Sequence, residues 1–266
     1  MDIHKPKPWR GFREFLKEYL IIVVGVLTAL GAEAVVERLH WRHQAAAARE
    51  ALAADFERVL TNAAERRAVT PCIAGRIEAV TRIVDQASRD GRLPPTGYLG
   101  TIPIRPWSLR SWEALASSQT FAHMPRDEMR AYSGIELYLA NRGALREQER
   151  HTWALLNALA GPGRRFGEAE EGEVRGLLSL AASDASNMAT GARLLPGMIR
   201  DTHLLTEARI AKADRLGLEQ ARADQSQEAD MCRPIGPAPE ISGGMLEVFK
   251  ANEAKPPPPA IGAVVR

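Results

Sequence analysis

Cysteine is almost missing from this chain: Cys72 and Cys232 are the only two in 266 residues. That excludes a disulfide-dense scaffold and any cysteine-rich zinc module, and leaves room for one disulfide. A charge excess is missing too. Thirty-five Lys and Arg face 33 Asp and Glu, a net of +2, too little for phosphate neutralisation to organise the molecule, so nucleic acid is not an expected partner. Catalytic signatures are absent as well. There is no Gly-x-Ser-x-Gly elbow and no His-Glu-x-x-His helix. Gly161-Pro162-Gly163 lacks the Lys-Ser/Thr ending of a phosphate loop and reads as a turn. No cofactor is expected. No strand pair with hairpin chemistry and no fixed repeat is seen. What remains is 45% hydrophobic and 26% charged, a globular composition able to bury a core.

The one long uncharged run lies near the start. Residues 19–32 carry no charge, and Ala34, Val35 and Val36 extend the run past Glu33. The stretch 19–36 sits at the short end of the roughly 17–25 residues a spanning helix needs. Trp9 and Trp41 bracket it, about 48 Å apart along a continuous helix, matching the hydrocarbon core with both headgroup layers. Lys5, Lys7, Arg10, Arg13 and Lys17 precede the run, and Arg38, Arg42 and Arg49 follow it. This basic excess orients the N-terminus to the cytoplasm and the rest outside. Ala32-Glu33-Ala34 also resembles a signal-peptidase site, so a cleaved leader is the competing reading. Gly25, Ala29 and Glu33 share one helical face, where small residues let two spanning helices approach. Glu33 lies near the outer end, within reach of the headgroups.

Beyond Trp41 the pattern is helical throughout. Residues 45–67 have almost no breaker and carry a stripe of Leu52, Phe56, Val59 and Ala63. Thr70-Pro71 reads as a cap followed by a first-turn proline, which predicts a second helix with the stripe Ile73, Ile77, Val80, Val84 and Ala87. Residues 92–107 hold four prolines and form an irregular connection, the expected functional loop or partner surface. Ser108 or Ser111 then caps a short helix bearing Trp112 and Leu115. Pro125 opens a long helix with Met129, Tyr132, Ile135 and Leu139, resuming at Leu145, Trp153, Leu156 and Leu159. Val174, Leu178, Ala181, Ala185, Met188, Ala192, Leu195, Ile199 and Thr202 alternate steps of four and three, a heptad seam that Pro196-Gly197 is expected to kink or divide. From Gln225 onward prolines and glycines cannot sustain a regular element. The expected fold class is all-α: an N-terminal transmembrane helix continuing into an antiparallel helical bundle, with a disordered Pro-rich C-terminal tail. The boundaries are 1–18 for a basic cytoplasmic N-terminus, 19–41 for the transmembrane helix, 42–224 for the bundle and 225–266 for the tail.

Few side chains invite chemistry. Glu37, His40 and His43 are spaced three apart, but each such step drifts about 60° around a helix, so solvated or interfacial side chains are expected rather than a metal site. Acids at 147–149 and 170–171 sit among arginines and read as solvated salt-bridging surface. In an oxidising compartment Cys72 and Cys232 would pair, pinning the tail to the second outer helix.

Phe15-Leu16-Lys17-Glu18-Tyr19-Leu20 running into Ile21-Ile22-Val23-Val24-Gly25-Val26-Leu27, followed later by Ser111-Trp112-Glu113-Ala114-Leu115, resembles a group of uncharacterised bacterial proteins with one N-terminal membrane helix and a helical extracytoplasmic domain. This chain departs from them in having Gly31-Ala32-Glu33-Ala34 where a more polar helix is expected. The resemblance implies location and fold, and no functional residues.

These features together lead to the expectation of a non-enzymatic, single-pass protein of the bacterial inner membrane. Its periplasmic bundle would bind a partner membrane or periplasmic protein, or a second copy of itself, with the lipid bilayer as the other partner. Trp107, Trp112 and residues 92–107 are the candidate partner surface. The opposing reading is a ligand-sensing or hydrolytic domain in which Arg105, Arg110, Glu113 and His123 converge on a pocket between helices.

Overall fold

One helix, α1 (Phe12–Asp90), carries the chain through the apolar run and far past it. The break expected at Thr70-Pro71 does not occur: Pro71 lies inside the helix. Val69 and Ile73, on either side of the proline, are both buried in one core, and that shared burial overrides the local breaker. Thr70 Oγ1 turns back to donate to the Arg66 carbonyl at 2.7 Å. The helix ends where Gly91 takes a φ of +62°, the left-handed conformation that favours glycine.

The computed structural model describes residues 11–224 and 231–237. After α1 come β1 (Arg92–Leu93), the short helices α2 (Trp112–Ala116) and α3 (Gln119–Ala122), then α4 (Arg126–Leu156) with a 3₁₀ turn (Asn157–Leu159). β2 (Arg164–Arg165), α5 (Glu168–Arg200) and α6 (Glu207–Asp224) complete the order. The fold is all-α; among the described residues the extended pairings are the antiparallel pair β1–β2, two residues long, and the bridge Thr96–Gly161, which join segments too far apart in sequence for a hairpin signal to reveal. The chain divides into two compact units: residues up to Leu60 with 107–141 and 195–213, and residues 61–106, 142–194 and 214 onward.

In the first unit, Leu52, Phe56 and Val59 of α1 are buried, as are Tyr132, Ile135 and Leu139 of α4 and Ile199 of α5. Phe56 meets Tyr132 edge-on, with centroids 5.9 Å apart. Arg49 pairs with Glu128 one level away, so pairings ascend along both helices and α4 runs in the same direction as α1. Arg209 of α6 binds both Glu50 and Glu57.

The second unit holds a larger core, from Val69 to Ala87 on α1, through Trp153 and Leu156 of α4, to Val174–Ala185 positions of the α5 seam. Here α5 runs against α1: Ser88 bonds Glu171, Asp85 pairs with Arg175, and Arg67 donates to the Ala192 carbonyl. It also runs against α4, through Arg142 to the Asn187 carbonyl and Gln148 to Asp184. At Gly217 of α6 a Cβ would fall 2.3 Å from the Thr61 carbonyl oxygen and 2.5 Å from the Ala64 Cβ, so only glycine permits this approach.

Every seam residue from Val174 to Ile199 on the four-and-three spacing is buried. Of the two outcomes expected at Pro196, division does not occur, since α5 continues to Arg200; Thr202, the last expected seam position, lies beyond the helix and is half-buried. Proline has no N–H to give the carbonyl four residues back, and in α5 that carbonyl, of Ala192, accepts from the Arg67 guanidinium at 2.8 Å instead.

Residues 94–106 are irregular, as expected, with one side laid on the core and Tyr98 and Ile104 exposed on the other. Leu93, Thr96, Leu99 and Ile102 are buried, and the Asn157 side chain accepts from the Leu99 N–H and donates to the Gly100 carbonyl. Residues 231–237 are likewise held, although irregular as expected. Cys72 and Cys232 form a disulfide, S–S 1.98 Å, Arg76 donates to the Met231 and Arg233 carbonyls, and the Gly97 N–H donates to the Gly236 carbonyl. The expected basic N-terminus through Arg10, Trp9 with it, and most of the Pro-rich tail lie outside the described residues.

Candidate functional site

Near its start α1 is long and apolar enough to cross a membrane, and none of its most apolar window is buried inside the protein. Ile21 is 72% exposed, Leu27 62% and Val36 66%. A soluble core helix buries such a face, and this one buries none. The hydroxyl at mid-run is answered locally, because Thr28 Oγ1 donates to the Val24 carbonyl at 2.7 Å. The Glu33 carboxylate and the Tyr19 hydroxyl stand near the two ends of the run, within reach of the headgroup layers. Gly25, Ala29 and Glu33 lie together on α1 and are all exposed, with nothing within 4 Å of where a Gly25 Cβ would stand.

One to two turns past the apolar run, a hollow of about 670 Å³ opens in the first unit. α1 supplies Ala34, Glu37, Arg38, Trp41, Arg42, Ala45 and Arg49, and the segment after α3 supplies His123 and Pro125. Its wall is a three-ring stack. Trp41 lies flat on His123, centroids 4.0 Å apart and planes 10° apart, while His40 meets Trp41 edge-on at 5.0 Å. The Trp41 indole N–H donates to Glu37 at 3.3 Å. Arg49 is committed to Glu128 through two bonds of 2.8 and 3.1 Å, and that carboxylate raises the guanidinium's pKa against the opposing effect of burial. Arg38 and Arg42 are exposed and form no ion pair among the described residues.

The residues singled out from the sequence have other places. Trp107 is 4% exposed, part of the first unit's core, because its ring turns inward. It therefore offers no partner surface, a correction to the expectation. Trp112 is half-buried, edge-on to Phe121 at 6.2 Å. Arg105 is tied to Glu65 through three bonds, Arg110 and Glu113 are exposed, and His123 is taken up by the stack. Among the described residues no three His, Cys, Asp or Glu could hold a metal ion.

Charge is also buried inside the second unit. Arg66 and Glu149, 5% and 0% exposed by side chain, are joined by two hydrogen bonds of 2.8 and 2.7 Å. Glu149 was expected on a solvated face; Glu147 is there, bound to Arg146 and Arg150, but Glu149 is not. The signal is visible in hindsight: Glu149 stands four residues from both Leu145 and Trp153, in the apolar stripe itself. Burial pushes the Glu149 carboxyl above the usual range, and Arg66 recovers only part of the effect. Asp184 is buried too. Gln148 donates to one of its oxygens at 2.8 Å and the other has no partner, so burial raises this carboxyl as well. In the first unit the balance reverses at Asp55: burial raises it, but bonds from Arg58 and from the Ser111 amide and hydroxyl outweigh that and hold it below the usual range.

No known protein family, curated protein or solved structure matches this chain.

Proposed function

We propose that this chain is a single-pass protein of the bacterial inner membrane, N-terminus in the cytoplasm, whose helical region acts on the periplasmic side as a non-catalytic interaction scaffold. The observation that carries the reading is the exposed apolar helix: residues 19–36 are apolar around the circumference save for Glu33 near the outer end, and none of the described residues covers them. The remainder of α1 continues without a break into the helical region, a stiff mount for a domain held at a surface. The cystine supports an oxidising compartment. Arg66 with Glu149 and Arg105 with Glu65 are paired with each other, as befits internal structure. Partners of this scaffold are a second membrane or periplasmic protein, or another copy meeting it along Gly25, Ala29 and Glu33.

Protease shaving of spheroplasts that express the chain with an epitope at each end tests the topology. The C-terminal epitope is expected to be digested and the N-terminal one protected, on a chain of uncleaved mass. A mature N-terminus just after Ala34 would overturn the anchor in favour of a cleaved leader, and a protected C-terminal epitope would overturn the orientation.

A further inference from the structure

We infer that the hollow beside Trp41 binds the phosphodiester headgroup of an anionic membrane lipid, an inference that rests on the membrane reading of α1 above. Depth is the first argument. Val36 ends the apolar run, and Trp41 stands one to two turns on, about 7 Å further along the axis. The headgroup layer on each side of the hydrocarbon core is roughly 5–7 Å deep. With 19–36 in the hydrocarbon, the hollow opens at the level of the lipid phosphates.

Charge is the second argument. Arg49 is neutralised by Glu128, and the Glu37 carboxylate, which accepts from the neutral Trp41 indole, puts one negative charge on the wall against two positive ones. Arg38 and Arg42 are left, one helical turn apart on the same wall, exposed and without an ion pair among the described residues. Two guanidinium forks at that spacing suit the unesterified oxygens of one phosphodiester, which a guanidinium binds bidentately. Shape is the third. The Trp41–His123 stack fixes one side, and Ala34, two turns nearer the hydrocarbon, leaves an apolar path for the glycerol and the first methylenes. A volume of about 670 Å³ suits a headgroup with its glycerol and far exceeds what a free phosphate ion would fill. Inorganic phosphate shares the charge chemistry, but the span would deliver lipid to this hollow at a local concentration no soluble ion matches.

Calorimetric titration of the full chain in a non-ionic detergent tests the site, with short-chain phosphatidylglycerol, phosphatidylcholine of the same chain length, and inorganic phosphate as probes. Phosphatidylglycerol is expected to bind at least tenfold tighter than either of the others. R38Q/R42Q, which alters two exposed side chains and is expected to leave the circular dichroism melt unchanged, should weaken phosphatidylglycerol about tenfold to thirtyfold, the worth of two basic residues at a lipid surface. R13Q/K17Q removes the same charge at the other end of the span and should change affinity less than twofold. Equal losses in the two variants, equal affinity for phosphatidylcholine, or phosphate binding as tight as the lipid would each overturn the headgroup site. Carbonate extraction of the same variants keeps the two proposals apart: a chain that stays in the membrane yet binds phosphatidylglycerol no better than phosphatidylcholine sinks only the site, and a chain that washes out sinks the membrane reading beneath it.

Discussion

Glu149 shows what a buried carboxylate does when its partner is a single arginine. Arg66 meets it with two bonds, and both side chains are out of water. Removing one partner leaves a charge with no compensation, so E149A is expected to destabilise the protein by about 3–5 kcal/mol, whereas R66M/E149L should restore most of that loss. Thermal melts of the three variants check the pattern, and equal losses for E149A and the double variant would contradict it. Asp184 and Glu149 also give a pH signature. Both carboxyls are raised in the folded state, so their contribution to stability is fully present below the ordinary carboxylate range, near pH 4, and is lost as pH rises through the folded-state values. D184N keeps the oxygen that accepts from Gln148 and removes the buried charge. It is expected to melt about 2–4 °C above the parent protein at pH 8, with the gap closing toward pH 4. Asp55 works in the opposite sense: its stabilisation is present above about pH 4 and is lost as pH falls through its lowered value.

Among the elements, α5 was the most legible in the sequence and also the most instructive where it misled. Its seam from Val174 to Ile199 is buried position for position, because a four-and-three spacing can present only one face to a neighbour. Its proline does not divide the helix, because a break depends on whether the orphaned carbonyl finds another donor. That donor, Arg67, sits on another helix and leaves no local trace. A double-mutant cycle separates the effects. In the parent, R67M is expected to destabilise by about 1–3 kcal/mol, since it orphans the Ala192 carbonyl and frees Asp214. In a P196A background, where the substituted residue supplies its own N–H, the loss should shrink by about 1 kcal/mol. Additive effects would contradict the repair. Residues 92–107 are irregular as their prolines imply, but prolines say nothing of which side chains turn onto a core: Leu99, Ile102 and Trp107 are buried, and Tyr98 and Ile104 are exposed. The apolar run needed no tertiary information. The hollow at its end did, since Trp41 and His123 meet only after folding.

On the scale of the whole molecule, one covalent closure and one exposed apolar surface set the terms. The Cys72–Cys232 bond spans a sequence separation of 160 residues, and in the chain-entropy model its loss removes up to about 5 kcal/mol. Reduction is therefore expected to lower the melting temperature by several degrees and to free two thiols for alkylation. Two alkylatable thiols before reduction would contradict the bond. The apolar surface of α1 is the larger matter, for a helix with residues 19–36 uncovered is stable in water only if something else covers it. Carbonate extraction of membranes from cells expressing the intact chain tests this most directly: the uncleaved protein should stay in the pellet and L27R, with a charge at mid-span, should pass largely into the wash. Recovery of the uncleaved parent protein in the soluble fraction would contradict the account at its base.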